Sequence, residues 1–177
     1  MRARRFEAAR IVLFVTFAAI IYGVIHDQIT AHLCIEYFTI AHPPIFPTEE
    51  PFLLALGWGV IATWWVGLIL GAGLAAAARI GPANKLGLNV LRRPILLLMA
   101  ISALAAFLAG ASGAGLVASG AVGVLGNWGS VIPPDKHVAF SAAAWAHTAS
   151  YAAGALGGLL LIAQTLRRRR KGHCTSA

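Results

Sequence analysis

Hydrophobic residues in this chain come in long runs and do not alternate with polar ones. Residues 11–25, 52–78, 94–126 and 138–166 contain no charged side chain, and only His147 interrupts the last run with a titratable group. An α-helix needs about 20 apolar residues to cross a hydrocarbon core of about 30 Å. The pattern therefore predicts four spans, near residues 8–30, 52–78, 94–118 and 138–166. The fold class is all-α, a four-helix membrane bundle. Residues 1–166 form one transmembrane domain, and residues 167–177 form a basic tail that leaves it as a solvated, disordered segment.

Punctuation refines the elements. Thr48-Glu49-Glu50-Pro51 places acids and a proline where a helix begins, so both glutamates read as caps. Asp135, after Pro133-Pro134, reads as the cap of the last span. Gly67-xxx-Gly71 and Gly154-xxx-Gly158 have the spacing that lets helices approach closely. The run 109–115, rich in glycine and alanine, fits close packing, a kink or a loose helix. Trp58 falls where an interfacial aromatic is expected. Trp64 and Trp65 lie deeper, either in packing or on the wall of a cavity.

Composition agrees with a membrane protein. Apolar residues make up 59% of the chain and charged residues 11%, against about 25% in soluble domains. Mean hydropathy is +0.77. The net charge of +8 means less than its placement. Thirteen of 14 basic residues precede the first span, lie between the second and third, or follow the fourth, and Lys136 is the exception. Basic loops stay cytoplasmic, so both termini are expected inside, in the inner membrane of a bacterium. The basic face meets anionic lipid headgroups and needs no nucleic acid. The bundle leaves room for an oligomer or a larger membrane complex.

MRARR followed by an apolar run has two parts of a secretory signal, but no small-x-small site follows it promptly. Ala31-His32-Leu33-Cys34 has a large residue just before the cysteine, unlike a lipoprotein box. An uncleaved first helix is expected. Cys34 and Cys174 then lie on opposite sides and cannot pair. Cys34 reads as a small apolar filler, with a free thiol, a ligand or an intermolecular bridge as alternatives.

The chemistry gathers in residues 26–46, HDQITAHLCIEYFTIAHPPIF, which holds three of six histidines and two of six acids. A helix from Phe6 to Ala41 would be about 54 Å long, so part of this segment projects, bends along the interface or folds back. His26 lies about 24 Å beyond Arg10, and His147 about 30 Å before Arg167, at comparable depth. Ionisable groups at that depth are costly unless paired or facing a wet cavity. Two faces compete. One carries His26 and Thr30 with Asp27 beside them, and the other carries Gln28, His32 and Glu36.

Imidazole with carboxylate suits a transition metal such as Zn or Fe. The candidate ligands are His26, Asp27, Glu36, His42 and His147, with Asp27 or Glu36 as ligand or as the acid that orients a histidine. No HExxH, ExxH pair or CxxC motif is present. A second reading is a small transporter or proton relay through Asp27, His26 and His147. A third is a non-enzymatic scaffold whose histidines only satisfy hydrogen bonds, as His32 and His137 would at a wet interface. The second and third spans hold no charged or carboxamide side chain, which argues against a polar path across.

HDQITAHLCIEYFTIAHPPIF, with LGWGVIATWWVG and AWAHTASYAAG, resembles a type of small bacterial four-helix membrane protein. The resemblance runs from about residue 26 to 158. It implies a shared fold and supplies no activity, cofactor or site residue.

Overall fold

The computed structural model describes the backbone of residues 2–174 and the side chains of residues 6–170. Among the described residues the chain is helical, without strands: α1 Arg2–Leu33, α2 Glu36–Thr39, α3 Pro51–Arg79, α4 Leu88–Ala118 and α5 His137–Cys174. Four of these are long and apolar enough to cross a membrane, and α2 is a single turn. Large apolar side chains such as Phe17, Ile69, Phe107 and Leu156 point outward. That surface is suited to lipid contact.

Helix α1 packs chiefly on α3, and α4 on α5; the two pairs meet through α3 with α5 and α1 with α4. Glycine decides the first pairing. A Cβ on Gly59 would stand 2.6 Å from the Val24 backbone, and one on Gly67 2.8 Å from Thr16 Cα. Gly71 meets Val12 in the same way. The Gly67–Gly71 spacing thus marks a helix contact. The second spacing divides: Gly158 packs on Leu70, while Gly154 has open space before it. The run 109–115 is continuous helix, with Gly110 against the Ala142 carbonyl and Gly113 against the Trp145 ring. Trp64 and Trp65 are about half exposed and face outward.

Several ends differ from expectation. Helix α4 begins six residues before Pro94, because Glu7 of α1 reaches across to cap it. Its Oε1 accepts from the Leu88 amide at 2.8 Å, placing a carboxylate at the positive end of a helix whose own cap residue is Gly87. Glu50 does cap α3, accepting from Leu53 N at 2.8 Å. Asp135 lies in a 3-10 turn, residues 134–136, that has no side-chain cap. Residues 167–174, expected to be disordered, continue α5 as helix; residues 175–177 lie outside the described residues. Arg169 explains part of this continuation. It is buried and donates to the carbonyls of Ala77, Ile80, Ala83 and Asn84 at 2.5–2.9 Å. These carbonyls end α3 and line its exit loop, where helical partners run out.

The core divides along the bundle. At the basic end Ile11, Val15, Leu74, Ala75, Ala78, Leu91 and Ile95 form one apolar cluster. At the other end α2 and its flanks fold back over the helices. There Ala31, Phe38, Leu54 and Ala55 form one cluster, and Cys34, Ile132, Phe140 and Ala143 another.

Glycine packing makes a testable distinction. Gly67→Val presses on the backbone of α1 and is expected to cost about 1–3 kcal/mol. Gly154→Ala meets nothing and removes a helix glycine, so it is expected to be neutral or stabilising by up to about 1 kcal/mol. Thermal unfolding in detergent compares them; equal losses would place the critical contact elsewhere.

Candidate metal centre

The inward face of α1 follows helical spacing through Gly23, Asp27, Thr30 and Ala31, all buried, and Cys34 just beyond its end is buried too. On α5 the buried face runs through Phe140, Ala143, His147 and Ser150. Where the two faces meet, Asp27 and His147 are 5% and 3% exposed. His147 Nε2 stands 3.2 Å from Asp27 Oδ1. His26, one residue before Asp27, turns its ring edge-on to His147 with centroids 4.4 Å apart. One ligand atom from each of His26, Asp27 and His147 lies within 4.8 Å of the other two, so this group could hold a metal ion.

Hydrogen bonding sharpens the geometry. His147 Nδ1 lies 2.9 Å from the Ala143 carbonyl, which can only accept. Nδ1 therefore carries a proton, and Nε2 is the nitrogen that faces the carboxylate. A proton shared between the two groups, or a metal ion between them, satisfies this contact. The 3.2 Å separation is a hydrogen-bond length. It is also close to the edge of a tetrahedral site, about 3.3 Å for bonds of about 2.0–2.1 Å. His26 Nε2 is buried and has no hydrogen-bond partner.

Aromatic rings enclose the group. Tyr22 stacks on His26 at 5.9 Å and bonds Ser150 through its hydroxyl at 2.7 Å. Tyr37 lies 4.4 Å from the His147 ring, Phe38 5.9 Å and Tyr151 6.2 Å. Burial, then the neighbouring Tyr151 and Asp27, push the Tyr37 phenol well above its usual value, so it stays protonated. Thr30 spends its hydroxyl on the His26 and Asp27 backbone carbonyls. Tyr22 had a sequence signal, one turn before His26 on the same face. Tyr37 had none, because its place depends on the break after α1.

That break also places Glu36 and His42 with other partners. Helix α1 ends at Leu33 and α2 starts at Glu36, so the i,i+4 relation of His32 to Glu36 does not hold. Glu36 pairs with Lys136 at 3.3 Å and accepts from the Cys34 thiol at 3.4 Å. Burial raises that thiol to about 11, which makes Cys34 a packed, unreactive group. His42 donates from Nδ1 to the Tyr37 carbonyl at 2.8 Å and packs on Trp58, with ring centroids 4.7 Å apart. Tyr37 and Phe38 touch both His42 and His147. His32 and His137 each bond a backbone carbonyl, of Gln28 and Ile132.

A cavity of about 90 Å³ lies under the group. Tyr22, His26, Asp27, Ser102, Ser150 and Tyr151 line it, and toward the basic end its wall turns apolar at Val15, Leu74 and Ile95. Ser102 Oγ is buried there without a partner. Comparison with protein families, curated proteins and solved structures finds no match to this chain.

The displaced Glu36 makes its own prediction. Burial raises its carboxyl, but its own amide, the Cys34 thiol and Lys136 together hold it below the usual 4.5. A lowered folded-state value stabilises the fold above the unfolded value, and the gain is lost as pH falls through the lowered one. Glu36→Gln is therefore expected to reduce stability at pH 7 by less than about 1 kcal/mol, since Lys136 is open to solvent. Thermal unfolding against pH should show the gap closing below 4.5; a gap unchanged at low pH would refute the pairing.

Proposed function

We propose that this chain is a multi-pass protein of the bacterial cytoplasmic membrane whose His26, Asp27 and His147 bind one divalent transition metal, zinc or iron. The observation that carries this reading is the convergence of these groups. Nε2 of His147, oriented by the Nδ1 bond to the Ala143 carbonyl, faces Asp27 Oδ1 at 3.2 Å, beside the unpartnered His26 Nε2. Two imidazoles and a carboxylate suit zinc and iron alike. Three protein ligands leave a coordination position for water or substrate. The four apolar helices support the membrane setting. The basic residues at one end support cytoplasmic termini.

A hydrogen-bonded pair, with a proton in place of the metal, is the second reading, favoured by the same 3.2 Å separation. A transport path across the bundle has less support, because the cavity under the site ends among apolar side chains.

Metal content per chain, measured by mass spectrometry on protein purified in mild detergent, tests the proposal. Wild type, His32→Ala and His42→Ala are expected to hold nearly one metal. His26→Ala, Asp27→Asn and His147→Ala should lower occupancy about tenfold or more. A metal-free wild type after reconstitution with zinc and iron would leave the hydrogen-bonded pair as the better account.

A further inference from the structure

A second hollow touches the same histidine. Between α1 and α4, closed at its back by α5, lies a groove of about 510 Å³, within the usual range of ligand pockets. Ile25, Ile29 and Leu33 form one wall, and Ala103, Gly110 and Ala111 the other. Helix α4 presents small residues where larger ones would fill the space. The hydroxyls along the groove are already engaged. The Tyr22 hydroxyl is with Ser150, and the Thr30 hydroxyl is on its own helix. His26 lines the groove and also belongs to the group that could hold a metal, its Nε2 buried and unpartnered. The groove therefore has an apolar length and, at His26, borders the candidate metal group. It runs beside residues 25–33 and 103–114, inside helices apolar enough to cross a membrane. In a bilayer its mouth would face hydrocarbon chains.

We infer that this groove seats the hydrocarbon chain of a long-chain carboxylate, with the carboxylate head brought to the metal beside His26. The inference rests on the metal reading of the site and names its substrate class. Charge selects the head. A divalent ion, one aspartate and two neutral imidazoles leave one positive charge in apolar surroundings, which is unfavourable. A singly charged carboxylate cancels it and supplies an oxygen ligand. A neutral ester leaves the charge standing, and a doubly charged phosphate reverses it.

The test uses the full chain in mild detergent, loaded with zinc, and a long-chain carboxylic acid carrying a mid-chain diazirine. Zinc content is measured first, so failure of the metal reading is seen before any lipid is added. With zinc bound, photolabel is expected on residues 25–33 and 103–114. The acid should outcompete its methyl ester about tenfold, as one added charge-assisted ligand bond implies. Removing zinc should abolish that preference. Ala111→Phe and Ala103→Phe, both at exposed positions on the groove, should remove the label while zinc content is unchanged. Zinc binding with label spread over all exposed faces would overturn the inference and leave the metal centre intact. Equal labelling by acid and ester would do the same. So would a groove-filling variant that dissociates a dimer, since a second copy's helix would then be the occupant.

Discussion

The contact between Asp27 and His147 is the constraint on which the upper half of the molecule depends. It joins α1 to α5 across 120 residues of chain, with both side chains almost wholly buried. A buried carboxylate is strongly unfavourable unless a positive partner or donor meets it. The histidine is already turned by the Ala143 carbonyl, so a proton or a metal ion at the contact would satisfy both groups. The aromatic rings of Tyr22, Tyr37 and Tyr151 and the returning segment after α1 wall this contact off from water.

The returning segment is held by small, separate interactions. Leu54 and Ala55 receive Phe38, while Ile132 and Phe140 pack with Cys34. Lys136 reaches Glu36 from the other helical pair. His42 ties the segment to itself through the Tyr37 carbonyl. Residues that looked like ligands thus fasten the cover that places Tyr37 over His147. The cover and the site are coupled, because the same ring of Tyr37 contacts His42 and His147.

The basic end shows the same economy with charge. Glu7 crosses from α1 to cap α4, and Arg169 crosses from α5 to the end of α3. Each charged group satisfies backbone atoms that a neighbouring helix leaves open. The bundle therefore uses ionic side chains at its ends and glycine contacts along its length. Between them, among the described residues, the interior carries the titratable groups of the site.

The sequence by itself determined the helical class and the number of long apolar helices, because run length and hydropathy are local properties. It determined that His26 and His147 stand at one height, since rise per residue is constant along a helix. It also picked out the face of α1 that carries His26, Asp27 and Thr30 as one of two choices. Only the tertiary structure decided between those faces, because that depends on which side of α1 meets α5. Only the tertiary structure sent Glu36 to Lys136 and His42 to the Tyr37 carbonyl. The chain turns after Leu33, and beyond a turn the helical count no longer relates one residue to the next. Arg169 was hidden for a similar reason: a run of arginines reads as solvated until a neighbouring helix end offers its carbonyls. What was legible followed from regular geometry within one helix, and what was not depended on contacts between segments far apart in the chain.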